Sequence, residues 1–383
     1  VTDSFIHLQN LTKTFPNTSA PAVDDLDLKV RKGEIVMLVG PSGCGKTTTM
    51  KMINRLVEPT SGKIIIDGQD VTDADPTELR RSIGYVIQQG GLFPHWRVGD
   101  NVAAVLKLLK WPTAKIPARV DEMLELVGLD PSLYRDRYPK QLSGGQRQRV
   151  GVARALAADP MIMLLDEPFG AVDPIAREKL QDEFLRLQQD ICKTIVFVTH
   201  DLSEAIKMGD RIAIVRERSA VAQFDTPAHI LANPANDFVR DFLGDNAETR
   251  ALSLVHVRPE MLTDLPTVTA QTGQEVSSAA GGAPTVVLTE GRPVGWLLAD
   301  GGTPRFVPTA PLTLGAGSYL SDALGQMMRT GAPAAIVADA DGRLAGCVEF
   351  ASITRAVAAS SGLVSAAGAP LTAEAVGHVD RRH

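Results

Sequence analysis

The stretch from Gly33 to Met50 constrains this chain more than any other. Glu34-Ile35-Val36-Met37-Leu38-Val39 is a short, β-rich apolar run, the pattern of a buried parallel strand. Gly40-Pro41-Ser42-Gly43-Cys44-Gly45-Lys46-Thr47 follows with the spacing G-x-x-x-x-G-K-T, and Thr48 to Leu56 is helix-compatible. The spacing therefore falls between a strand and a helix start, where a phosphate-binding loop needs it. Gly40, Gly43 and Gly45 permit a tight backbone path, so successive N–H groups can turn inward on phosphate oxygens. The helix N-terminus adds partial positive charge. In such a loop Lys46 neutralises the β- and γ-phosphates of a nucleotide, and the Thr47 hydroxyl ligates Mg²⁺. Pro41, Ser42, Cys44 and Thr48 complete the candidate phosphate-binding set. The plain alternative is a glycine-rich turn before an ordinary helix.

At 383 residues the chain exceeds a single core, so two or three domains are expected. The net charge of −6 and the lack of a basic run argue against a nucleic-acid partner. Cys44, Cys192 and Cys347 have no metal-ligand spacing and suit reduced thiols of a cytosolic protein. No stretch approaches the roughly 20 apolar residues that cross a bilayer. The N-terminus carries no signal-peptide pattern. A role at a membrane would therefore run from its cytoplasmic face, through a partner.

Further along, strands alternate with polar residues at their ends. Phe5 to Leu8 and Leu26 to Val30 read as strands around a loop that holds Phe15. Phe15 either stacks on an adenine face or joins the core. Ile83 to Ile87 reads as a strand ending at Gln88, which is placed to reach Mg²⁺ or a water beside the γ-phosphate, or else is only loop. Val98 to Leu129 turns helical: Val102, Val105, Leu106 and Leu109 share one face, as do Val120, Met123, Leu124 and Val127. This is a helical insertion in an α/β chain. It closes on Leu142-Ser143-Gly144-Gly145-Gln146, ahead of an unbroken helix-forming run. Serine, glycines and a helix N-terminus make a second anion site. It lacks a lysine of its own, so it suits completing a site held by another subunit. The alternative is a simple N-cap.

Met161 to Glu167 reads as a buried strand that ends in two carboxylates, Asp166 and Glu167. Buried charge is costly unless it is paired or holds metal. Asp166 suits Mg²⁺ and Glu167 suits activation of the attacking water. Thr194 to Asp201 repeats the design and delivers His200.

Together these motifs resemble the nucleotide-binding subunit of an ATP-binding cassette (ABC) transporter, over about residues 4–244. The resemblance implies an α/β P-loop NTPase fold of the ABC ATPase type, with an antiparallel β subdomain and a helical subdomain near residues 97–157. It implies ATP and Mg²⁺ as ligands, the latter held by Thr47, Gln88 and Asp166. It implies Phe15 at the adenine, Gln88 as the glutamine that couples to the permease, Glu167 as catalytic glutamate and His200 as switch histidine. Gly170-Ala171-Val172-Asp173 matches the loop that crosses the dimer interface, with Gly170 and Val172 where serine and leucine are usual. It implies a head-to-tail homodimer in which Ser143, Gly144, Gly145, Gln146 and Asp173 of one copy meet the ATP held by Lys46 of the other. Transmembrane permease subunits and a substrate-binding protein would be the partners.

Gln88-Gln89-Gly90-Gly91-Leu92-Phe93-Pro94-His95 and Asn233-Pro234-Ala235-Asn236-Asp237-Phe238-Val239 resemble importers of glycine betaine, carnitine, choline or proline. An importer ATPase for a sugar, polyol or metal is the alternative. A soluble, non-transport ABC ATPase is disfavoured, because no coiled-coil insertion, basic surface or second cassette is present.

From about Thr249 the chain holds no lysine and is rich in Ala, Gly and Val. Residues 249–360 resemble a degenerate, α+β pair of cystathionine-β-synthase-type (CBS) units. The positions of the usual threonine and ribose-binding aspartate hold Glu349 and Ser352 in one unit and Leu298 and Gly301 in the other. Tight adenosine-nucleotide sensing is therefore not expected there. Residues 361–383 are expected to be a flexible tail.

Overall fold

The computed structural model describes residues 4–87, 91–170, 172–244, 247–270, 283–300 and 303–360. Gln88, Gly301 and the expected tail at 361–383 lie outside the described residues. The chain divides into two compact units, one of residues 1–230 and 234–244, the other of residues 231–233 and 245–383.

The first unit grows from runs in which apolar residues have nowhere to go but inward. Strand β1 (Ser4–Lys13) pairs antiparallel with β2 (Val23–Arg31), whose burial alternates along most of its length and whose outer residues are acidic or basic. β3 (Ile35–Val39) is buried at all five positions, as a central parallel strand must be. Helix α1 (Lys46–Ile53) follows it directly. β4 (Ser61–Ile66) and β5 (Gln69–Asp70) complete a sheet of order β2-β1-β4-β5. α2 (Pro76–Ser82) is capped by Asp75, which accepts from the N–H groups of Thr77 and Glu78, and leads into β6 (Ile83–Val86).

Helices α3 (Val98–Leu108), α4 (Ile116–Leu126), α5 (Pro131–Tyr134) and α6 (Gly144–Leu156) form the helical insertion. The faces expected from periodicity are the buried ones: Val102 and Leu106 on α3, Val120, Met123 and Leu124 on α4. The chain returns through β7 (Ile162–Asp166), α7 (Pro174–Ile191), β8 (Thr194–Thr199), α8 (Leu202–Met208), β9 (Arg211–Val215) and β10 (Val221–Asp225). Helices α9 (Pro227–Ala232) and α10 (Asp237–Leu243) come next in the chain. Met161, expected inside the β7 strand, precedes it and is exposed, because pairing with β8 begins at Ile162.

The second sheet has the order β10-β9-β3-β8-β7-β6, all parallel except β10. Register decides the site. Val39 lies opposite Thr199, and Asp166 lies opposite Val198. The carboxyl ends of β3, β7 and β8 thus share one edge, where ligands bind in open α/β sheets.

The second unit contains α11 (Ala247–Ala251), β11 (His256–Val257), β12 (Leu262–Thr263) and β13 (Thr267–Thr269), then β14 (Thr285–Thr289), β15 (Arg292–Asp300) and β16 (Thr303–Pro308). β17 (Leu312–Thr313), β18 (Gly315–Tyr319), α12 (Leu320–Thr330), β19 (Ala334–Ala338), β20 (Leu344–Glu349) and α13 (Phe350–Ser360) follow. The sheet β12-β20-β19-β17 is covered on both faces. Alternate residues of β19 enter different cores: Ala335 and Val337 meet Leu320 and Val348, while Ala334 and Ile336 meet Trp296 and Cys347. β17 runs parallel to β19 with α12 between them in the chain, and β20 turns back antiparallel. β13 and β14 are also parallel, and β15 and β16 extend that sheet antiparallel.

Candidate functional site: a phosphate loop at the edge of a parallel sheet

The loop after β3 is shaped by positions that only glycine satisfies. Gly43 has φ +80° and Gly45 has φ +109°. A Cβ on Gly45 would fall on Ser219 Oγ and on the Ala22 carbonyl. Gly45 caps α1 without any side-chain hydrogen bond, so the helix start presents backbone N–H groups. Lys46 is 7% exposed. Its ammonium donates to the Gly40 carbonyl at 2.7 Å and the Pro41 carbonyl at 2.9 Å, and lies 3.6 Å from Cys44 Sγ. All three ammonium protons thus stay within the loop's own turn.

Thr47 and Asp166 meet although 119 residues separate them: Thr47 Oγ1 donates to Asp166 Oδ1 at 3.1 Å. Asp166 is 7% exposed. Burial pushes its pKa up; the Thr47 hydrogen bond opposes this, and the neighbouring Glu167 carboxylate adds to it. Tyr85, on β6, is likewise pushed up to about 12 by burial and by the Asp166 charge. An acid held this way gains from a divalent cation, and Thr47 supplies the hydroxyl oxygen beside it.

Glu167 leaves the strand abruptly. Its φ is +46°, in the left-handed region, and its N–H donates to the Val198 carbonyl at 2.9 Å. That turn aims its carboxylate at His200, with Oε1 3.3 Å from Nδ1. His200 is the more exposed of the two. Asp166 and Glu167 therefore face different partners: one the Thr47 hydroxyl, the other the histidine.

Phe15 is 38% exposed, between β1 and β2, so the core alternative falls. Lys13 Nζ lies 5.2 Å from its ring centroid. The same loop returns through Ala22, whose N–H donates to Lys13 O and whose own carbonyl abuts Gly45. Ser42 is exposed and Thr48 is partly buried at the helix start.

Ser143 caps α6. Its Oγ accepts from the Gln146 N–H at 3.2 Å, and Gln146 Oε1 accepts from the Ser143 N–H at 2.9 Å. Gln146 Nε2 donates to the Tyr134 hydroxyl on α5 at 3.1 Å, so its amide is engaged at both ends, by its own helix start and by α5. A cavity of about 510 Å³ brings Ser143, Gly144, Gly145 and Gln146 together with Val172 and Asp173. Asp173 Oδ1 accepts from the Ala176 N–H and caps α7. No residue of the phosphate loop lines that cavity.

One residue at the phosphate loop escaped sequence reasoning. Ser219, in the turn between β9 and β10, is fully buried and holds the Cys44 carbonyl. The turn offers no glycine and no recognisable spacing, so only tertiary packing reveals it.

The ABC transporter family profile matches residues 23–170. The choline transport ATP-binding protein OpuBA of Bacillus subtilis is 52% identical over 272 residues, 71% of each chain. The osmoprotectant import ATP-binding protein OsmV of Salmonella typhimurium is 46% identical over 302 residues, 76% of this chain and 78% of that one. The ATP-binding cassette MJ0796, solved as a dimer in a post-hydrolysis state with ADP and Pi, superposes with a TM-score of 0.52 at 35% identity, covering 58% of this chain and 98% of that chain. With a phosphate loop, paired acids and histidine on one sheet edge, and relatives this close over most of its length, the chain belongs to the ATP-binding subunits of the ABC transporter family.

Proposed function

We propose that this chain hydrolyses ATP to drive import of an osmoprotectant-type quaternary amine. The observation that carries the hydrolytic part is the meeting of Lys46, Thr47, Asp166, Glu167 and His200 at one sheet edge, with Glu167 3.3 Å from His200. Phosphate oxygens of ATP displace the loop carbonyls from Lys46 and take the backbone N–H groups at the start of α1. Phe15 stacks on the base. Thr47 and Asp166 hold Mg²⁺, with Gln88 as a further ligand. When bound, Mg²⁺ offsets the charge that develops on the transferred phosphoryl group. Glu167 orients and deprotonates the attacking water, and His200 holds Glu167 and the γ-phosphate in line.

Two copies assemble head to tail. Ser143 and Gly145 of one reach the γ-phosphate held by the other, and Asp173 lies at the shared boundary. The cavity that joins these residues without any phosphate-loop residue supports this reading. Among the described residues no helix is long and apolar enough to cross a membrane. In this reading, which rests on the transport systems that the chain resembles, the dimer acts at the cytoplasmic face on permease subunits fed by a substrate-binding protein.

The cargo is bound by those other subunits, so the quaternary-amine reading rests on the choline and osmoprotectant systems that the chain resembles. Vesicles carrying the chain with its permease and binding protein should take up labelled choline or glycine betaine when loaded with ATP. Uptake of a sugar or polyol instead would overturn the cargo and leave the ATPase assignment standing.

A further inference from the structure

The hairpin turn between β9 and β10 is built at a cost. Arg218 has φ +62° and Ser219 has φ +58°, two consecutive non-glycine residues in the left-handed region. In that region the Cβ of a non-glycine residue crowds the following carbonyl oxygen, so each is strained. The turn delivers one side chain into the interior. Ser219 is 0% exposed, its N–H donates to the Cys44 carbonyl at 2.6 Å, and its Oγ lies 3.1 Å from the same oxygen. The same Oγ lies 3.2 Å from Thr49 Oγ1, on α1. Two donors from one residue thus converge on a single loop carbonyl.

That carbonyl belongs to the peptide that links Cys44 to Gly45. The described chain holds no cis peptide, and a trans peptide points its C=O and its N–H to opposite sides. Fixing the Cys44 oxygen toward Ser219 therefore fixes the Gly45 N–H on the side of the peptide away from Ser219. No protein acceptor takes that N–H among the described residues. Ser219 also explains Gly45, since a Cβ there would collide with its Oγ.

We infer that Ser219 is a positioning residue for nucleotide binding: it clamps the Cys44–Gly45 peptide so that the Gly45 N–H faces the phosphate. The inference rests on the ATP reading of the loop. Its effect is on affinity, because the clamp orders the loop before ligand arrives and touches no reacting atom.

Ser219→Ala and Ser219→Gly in the full-length chain separate this role from a structural one. Both lose the hydroxyl and keep the backbone N–H, so both should raise KM for MgATP by about fivefold, the scale of one buried hydrogen bond, with kcat within twofold of wild type. Melting temperatures should diverge instead, with glycine above alanine, because glycine tolerates the left-handed turn. Unchanged KM in both variants, or a KM that follows melting temperature rather than the hydroxyl, overturns the clamp and leaves the ATP site intact. A wild-type chain that binds no MgATP by calorimetry overturns the reading beneath it, and the clamp with it.

Discussion

Two adjacent carboxylates at the end of β7 face different partners because the backbone turns between them. Asp166 stays in the strand and meets Thr47; Glu167 turns into the left-handed region and meets His200. Glu167→Gln keeps the shape and the phosphate contacts but removes the proton acceptor. The ATPase kcat should fall about 10²-fold or more, the scale of general-base loss, while MgATP binding persists. Light scattering with ATP should then find a trapped dimer. Full turnover in this variant would remove Glu167 from the reaction.

At the scale of elements, three helix starts border the candidate site: α1 after Gly45, α6 capped by Ser143 and α7 capped by Asp173. Ser143→Ala removes the α6 cap and should cost about 1 kcal/mol of stability, seen as a lower urea midpoint with unchanged slope. Ser143→Arg places bulk and charge where the other copy's phosphate would sit. It should abolish cooperative ATPase activity yet leave nucleotide binding at Lys46 measurable. Retained cooperativity would dismiss the head-to-tail pairing.

Helix α8 supplies a pH test on the same scale. Glu204 is buried; Gln181 Nε2 donates to its Oε1 at 3.1 Å, and Thr199 also bonds it. Burial raises its pKa above the ordinary 4.5, and the Thr199 and Gln181 bonds only partly oppose this. A raised acid favours the folded state while protonated. That contribution is complete below the unfolded value and is lost as pH rises through the folded one. Glu204→Gln keeps an acceptor for Gln181 and has no charge to bury. Its melting temperature should exceed wild type at pH 7.5, and the gap should close as pH falls below 4.5. A gap that is constant with pH would mean that Glu204 is not titrating.

Across the whole molecule, the second unit adds two cores of its own around one sheet. Among the described residues no group of three or more His, Cys, Asp or Glu side chains converges as a metal cluster would. Under the expected CBS-type resemblance, the positions of the nucleoside contacts would fall on Ser352, Glu349 and Leu298, and each of these is engaged otherwise. Ser352 is buried and its Oγ accepts from Arg355, Glu349 lies within reach of the Thr263 hydroxyl at 3.4 Å, and Leu298 packs on the Trp296 core. No carboxylate stands at the Ser352 position to take a ribose diol. In a full-length Lys46→Ala chain, which disables the phosphate loop, calorimetry with AMP should give no micromolar binding. A micromolar isotherm would reassign the second unit as a nucleotide sensor.

Spacing and periodicity settle the parts whose signal is local. The loop from Gly40 to Thr47, the apolar strands β3, β7 and β8, the helical faces of α3 and α4, and the cap at Ser143 each follow from spacing or periodicity over a few residues. From these the α/β cassette fold and the transporter family were legible. Tertiary structure alone decided what depends on register and on distant chain segments. Pairing of β3 with β8 and of β8 with β7 put Lys46, Asp166 and His200 on one edge. Solvent exposure took Phe15 out of the core. A turn 174 residues beyond Gly45 closed on the phosphate loop through Ser219, contacts that span 175 residues from Cys44. No local pattern encodes such a contact, because it is made by packing between segments whose approach only the finished sheet fixes.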